Sequence, residues 1–299
     1  MSARLEVTPT LWGARGVQHV LQRQLAAAAS ALTARHPGEE HIHGARKCLK
    51  AARSALRLLR PALGERAYRA ENRALRNAGR QLSIVRDGTV LLGSLGKLRR
   101  KVRDRRGREQ LEELAAELRT RAARDWKHAR RFGIPRAGRA VRTAAARVAR
   151  WAFAAHDWQA TCEALLRIYR KGRREAARNR HSPDSDSLHE WRKSTRYLRN
   201  QLLLLRPLQH ASLAAAAREL HRLDTRLGDD HDLAVLSAIV RQNAARSGTH
   251  TCSTLQKAIR RRRRKLQHRA LAIGKRAYAE KPAHFAARLR RYIDRWPEG

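Results

Sequence analysis

Apolar residues recur along this chain every three to four positions, over stretches too long for strands and with no sustained two-residue alternation. Leu and Ala supply most of them, and good helix formers fill the gaps. The spacing predicts helices over 11–35, 39–60, 65–98 with a break near Gly88, and 101–131. It predicts a second set over 139–180 with a break near His156, 185–206, 211–241 with a break near Gly228, 253–278 and 283–295. His36-Pro37-Gly38 ends the first helix, and Pro61 and Pro207 end the second helix of each set. Ser182 to Ser187 reads as a loop leading into a helix, and Phe132 to Gly138 as the connection between halves. The fold class is all-α.

The two sets repeat one another. His43, Arg46, Lys47, Lys50 and Arg53, running on to Leu58-Leu59-Arg60-Pro61, return 146 residues later as His189, Arg192, Lys193, Arg196 and Arg199, running on to Leu204-Leu205-Arg206-Pro207. A second match follows each copy at an offset of 145: Leu82, Asp87, Val90 and Leu91 parallel Leu227, Asp232, Val235 and Leu236. Two matched segments in the same order predict a duplicated unit. The expected architecture is two four-helix bundles related by a pseudo-two-fold axis, residues 1–135 and 136–299, forming one domain together.

On a helix, His43, Arg46, Lys47, Lys50, Arg53 and Arg57 make one polar stripe, opposite Leu49, Ala52, Leu56, Leu59 and Leu63. In the second copy His189, Arg192, Lys193, Arg196 and Arg199 face away from Trp191, Leu198, Leu202 and Leu205. No acid occurs from His41 to Gly64 or from Trp191 to Arg218. An ordinary solvated face mixes signs and forms i,i+4 ion pairs. These stripes leave about five like charges each without a partner in their own helix, and a featureless surface has no reason to repeat them in register.

Charge extends the picture to the whole chain. Its 299 residues carry 67 Lys and Arg against 26 Asp and Glu, a formal charge of +41. Such a balance calls for a polyanionic partner and says nothing of fold. Arg outnumbers Lys about five to one, and its planar fork holds phosphate oxygens in pairs. Arg170 and Arg174 belong to a further row on the 139–180 segment and are taken as additional anion contacts, while the run Arg260 to Lys265 fits a solvated helix end equally well. Cys48, Cys162 and Cys252 stand far apart with no metal spacing, so a reducing compartment is expected. No apolar stretch is long enough to span a membrane, no signal peptide opens the chain, and the expected location is cytoplasmic.

Three chemistries compete for this surface. Nucleic acid or the ribosome satisfies the charge, but nucleic-acid modules commonly set aromatics beside their basic residues. Trp191, Tyr197 and Tyr169 fall off the densest stripe or at its edge. A metal-dependent phosphohydrolase could use Asp229, Asp230, His231 and Asp232, although only the last acid is duplicated and such hydrolysis usually needs several converging ligands. The third is non-enzymatic binding of inorganic polyphosphate, a flexible chain able to follow two basic helices. His43 and His189 among cations have their charged form disfavoured, and a bound phosphate would favour it. Asp87 and Asp232, the acids common to both copies, could accept from Arg or His and fix its direction.

The duplicated His-x-x-Arg-Lys-x-x-Lys/Arg-x-x-Arg helix, with the later Leu-x-x-x-x-Asp-x-x-Val-Leu segment, resembles the CHAD family, the conserved histidine α-helical domain, over roughly residues 15–280. The resemblance implies two helical bundles with a basic central surface, binding of inorganic polyphosphate and association with polyphosphate granules. It implies ligand roles for His43, Arg46, Lys47, Lys50 and Arg53, and for His189, Arg192, Lys193, Arg196 and Arg199. No metal ion or cofactor belongs to this reading. Many relatives carry an attached triphosphate-processing β-barrel, for which this chain has no strand pattern.

Overall fold

The computed structural model describes residues 5–8, 13–100, 102, 105–153, 158–181, 183–247 and 253–295, with side chains except at 86, 87, 106, 244–247, 253 and 254. Helices account for nearly all of them, with no β-strand among the described residues. They are α1 (Gly13–Thr33), α2 (Glu39–Leu58), the single turn α3 (Arg60–Leu63), α4 (Glu65–Gln81), α5 (Ser83–Arg99), α6 (Arg105–His128) and α7 (Ile134–Ala149). After these come α8 (Trp158–His181), α9 (Ser185–Leu204), α10 (His210–Ser247), α11 (Ser253–Ala277) and α12 (Pro282–Asp294). None is long and apolar enough to cross a membrane.

The apolar stripes meet in one large core. Leu49, Ala52, Leu56 and Leu59 of the α2 segment and Trp191, Leu198, Leu202 and Leu205 of the α9 segment are all at most 2% exposed, while Leu63 is only half-buried. α2 packs on α1 and α4, and α9 on α8 and α10; the two helices also pack on each other. A smaller second core lies between α5, α6, α10 and α11, around Leu95, Leu114, Leu236 and Ile259.

α9 starts where the sequence caps it. The Asp184 carboxylate accepts from the backbone N–H groups of Asp186 and Ser187 at 2.9 and 2.8 Å, and the Ser187 hydroxyl accepts in return from the Asp184 N–H at 3.1 Å. Glu39 and Glu40 in the first turn of α2 favour its N-terminus through the helix dipole.

Three boundaries differ from the expected ones. The 65–98 segment breaks at Leu82, not at Gly88, and α10 runs unbroken through Gly228. Each glycine serves close packing. A Cβ on Gly88 would stand 2.8 Å from the Ala122 Cβ, and one on Gly228 would stand 3.0 Å from the Arg192 guanidinium. The Phe132–Gly138 segment is helical: α6 passes through one π-helical stretch, Ala129–Gly133, into α7, which packs back on α1 and α4.

Candidate functional site

The crossing of α2 and α9 brings the two basic stripes together. Its centre is polar: Asn200 Nδ2 donates to Ser54 Oγ at 3.1 Å and Gln201 Nε2 to the Ser54 carbonyl at 3.2 Å, all buried. Ser54 and Asn200 occupy the same position of the 146-residue repeat. One helical turn before them lie Lys50 and Arg196, also counterparts.

Lys50 records how close the cations are. Burial, followed by the charges of Arg196, Arg46 and Arg192, pushes its ammonium down to about 8, against a smaller opposing effect of Asp224. Burial likewise lowers Arg53, Arg192 and Arg199 from the usual guanidinium range, although Arg stays charged at any physiological pH. Desolvated like charges of this kind destabilise the unliganded protein.

The α9 stripe is less bare than its helix alone suggests, because α10 brings an acid to it. Asp224, largely buried with its side chain 12% exposed, accepts from Arg196 Nη2 at 2.7 Å and Nε at 3.1 Å, and lies 3.5 Å from Arg192 Nε. Burial works to raise this carboxyl; the Arg196 charge and hydrogen bonds, then Arg192 and Arg199, outweigh it and hold the group below the usual carboxylate range. Lys193 pairs with Glu190, which also lies 3.4 Å from Lys171. Of the charges expected to lack a partner within their own helix, Lys193 has one in Glu190, while Arg192 and Arg196 are met by Asp224 from another helix. At the offset of 145 the counterpart of Asp224 is Gly79, so the repeat could not reveal it.

Along α2, Asn72 of α4 accepts from Arg53 Nε at 3.1 Å and from Arg57 Nη1 at 3.2 Å, aiming both guanidiniums. Arg57 stacks 3.8 Å above the centre of the Tyr197 ring, with Arg53 at 5.9 Å. Tyr197 thus sits among the cations themselves. Trp191 and Tyr169 are buried.

His189 is half-buried and packs against His231 of α10, ring centres 4.6 Å apart, with its Nδ1 buried and without a hydrogen-bond partner among the described residues. Burial lowers both imidazoles, helped at His189 by His231, Lys193 and Arg192, and at His231 by Arg192. His43 and Lys47 are exposed on α2. Arg170 and Arg174 are exposed on α8. Asp232 is half-buried and close enough to Arg192 to favour its charged form. The side chain of Asp87 lies outside the described residues.

The four consecutive residues considered for hydrolysis point to different partners. Asp230, 2% exposed, binds Arg263 Nε at 3.0 Å and Gln267 Nε2 at 3.0 Å; Asp229 faces Lys97 at 3.5 Å; His231 faces His189; Asp232 faces Arg192. Among the described residues no group of three or more His, Cys, Asp or Glu is arranged to hold a metal ion.

The described residues thus form an all-α domain in which two repeated helices bring their cations together. The model of the CHAD domain matches residues 18–241, and the chain belongs to that family. Among solved structures it is similar to the CHAD domain from the plant Ricinus communis, at 17% identity and a TM-score of 0.58, over 94% of this chain and 96% of that one; this likeness speaks for the fold. No curated protein matches its sequence.

Proposed function

We propose that this chain is a non-enzymatic binding module for inorganic polyphosphate, held in a basic groove between α2 and α9. Arg46, Lys50, Arg53, Arg57, Arg192, Arg196 and Arg199 line it, with His43, Lys47, His189 and Lys193 on its rim, and Arg170 and Arg174 prolong the path over α8. Asp232 and Asp87 orient cations. The observation that carries the reading is the crowding around Lys50, where burial and the charges of Arg196, Arg46 and Arg192, from both helices, lower the ammonium against the smaller opposing effect of Asp224. A chain of phosphates supplies the missing negative charge, and guanidiniums fixed by Asn72 and Asp224 can meet it without reordering. Family membership supports the same ligand. We place the module in the cytoplasm, on polyphosphate granules where these form.

We also read the chain as two duplicated helical units about a pseudo-two-fold axis. The order α1, α2, α6, α7 recurs as α8, α9, α11, α12. In a two-fold arrangement only residues beside the axis touch their own counterparts, and Ser54 touches Asn200. The axis would then pass through the middle of the groove, so that a phosphate chain meets equivalent cations in either direction.

Competition binding tests the ligand. Labelled long-chain polyphosphate is titrated at about 150 and about 500 mM salt, with duplex DNA and RNA competing at equal phosphate concentration. Retention at the higher salt without displacement by nucleic acid is the expected result. Equal displacement by all three would mean an unshaped basic surface and would overturn the reading.

A further inference from the structure

Among the described residues Phe132 is one of the few large apolar side chains left open to solvent, 38% exposed, and it lies in the π-helical stretch between α6 and α7. Around it the chain has no acid from Trp126 to Arg150, and Lys127, His128, Arg130, Arg131, Arg136 and Arg139 are all exposed. The Arg131 and Arg136 guanidiniums stand 5.1 and 5.8 Å from the ring centre, and the His128 ring 5.2 Å. Phe132 lies in the π turn itself, and the turn packs closely on α4: a Cβ on Gly133 would stand 3.0 Å from the Gln81 carbonyl oxygen at the end of that helix. An ordinary α-helix would continue the α6 register and turn this position by a fraction of a turn.

A single exposed aromatic is ordinary on a protein surface; what sets Phe132 apart is the chemistry around it. A ring flanked by guanidiniums offers a π face for stacking and donors for the phosphates on either side of the stacked unit. Inorganic polyphosphate has no ring and gains nothing from Phe132. A single-stranded nucleic acid has both parts, a base for the ring and phosphates for Arg131 and Arg136. We propose that the α6–α7 junction is a second anion site, distinct from the α2–α9 groove, which binds single-stranded nucleic acid by stacking a base on Phe132. The base takes one face of the ring and the displaced guanidinium moves to the adjacent phosphate. Stacking tolerates any base, so the site reads strandedness and not sequence. It is built from α6, α7 and the turn between them, and it does not depend on what occupies the groove.

The test must separate stacking from the charge of the whole protein. A single-stranded 12-mer and an abasic 12-mer of equal phosphate number are titrated against the full chain at about 300 mM salt, where phosphate contacts are weakened and stacking is not. The base-containing strand should bind roughly tenfold more tightly. Phe132→Ala and Phe132→Leu should bring the ratio to about one, and Phe132→Trp should keep it. The Leu variant keeps an apolar side chain of similar reach, so it reports on the π face even if Ala disturbs the turn. A strand carrying 2-aminopurine should lose fluorescence on binding the wild type and regain it with Phe132→Leu. Equal affinity for the two strands in the wild type, or a ratio unchanged by Phe132→Leu, would overturn the proposal. A ratio lost on Arg196→Ala and kept in Phe132→Leu would place the stacking in the groove and overturn it as well.

Discussion

Replacing Lys50 by Met, which keeps the length of the side chain and removes its charge, isolates one crowded cation of the proposed groove. In the free protein the ammonium is pushed down to about 8 from an ordinary 10.5, first by burial and then by Arg196, Arg46 and Arg192. A phosphate chain in the groove cancels that repulsion and returns the group toward its ordinary value. At pH 9 the occupancy of the site then rises from about 0.1 to nearly 1, so binding takes up about 0.9 proton. At that pH an ordinary imidazole is neutral and phosphate groups are ionised, and the difference between the wild type and Lys50→Met removes what the α-amino group, thiols and other lysines contribute. Calorimetric titration in two buffers of different ionisation heat measures the uptake directly. The wild type should take up close to one proton and Lys50→Met close to none. The free protein carries the matching signature. Between pH 8 and 10.5 the unfolded chain binds the Lys50 proton and the folded one has released it, so stability rises with pH across that window, by up to about 3 kcal/mol. Lys50→Met should flatten the rise. No proton uptake by the wild type, or the same uptake in the variant, would refute the placing of ligand phosphate at Lys50.

The same geometry yields three further expectations. Asp224→Asn removes the largely buried counter-charge that Arg196 and Arg192 share, so thermal unfolding of the free protein should drop by the equivalent of about 3 kcal/mol, and polyphosphate should restore much of it. His189 and His231 are lowered in the free protein, so below their ordinary value of about 6.5 the unfolded chain takes protons that the folded one refuses, and stability falls with pH; a bound polyanion favours the charged rings, so affinity should rise from pH 7 to pH 5.5, less so in His231→Gln. Gly274→Ala would put a Cβ 2.3 Å from the Trp191 ring, which is fully buried, and should cost more than about 2 kcal/mol by chemical denaturation while leaving the basic residues unchanged.

The helices that carry the site were legible because they are amphipathic, and the stripes were legible because they occur twice. Burial of Leu49, Leu56, Trp191 and Leu198 follows from periodicity alone. What joins the stripes was not legible, because it has no period and no copy. Asp224 reaches Arg196 from 28 residues away, and its counterpart in the other half is Gly79. Gly228 reads as a helix breaker in one dimension. In three dimensions it is the bare stretch of α10 on which the Arg192 guanidinium lies, since any side chain there would displace it. Phe132-Gly133 reads as a connection for the same reason, while the glycine serves to seat a helical turn against the end of α4. In each case a residue that weakens a helix locally was kept for a contact with a distant part of the chain. At Gly228 that contact is Arg192, a half-buried arginine of the α9 stripe, so the packing of α10 and the direction of that cation rest on one residue that only the folded chain can explain.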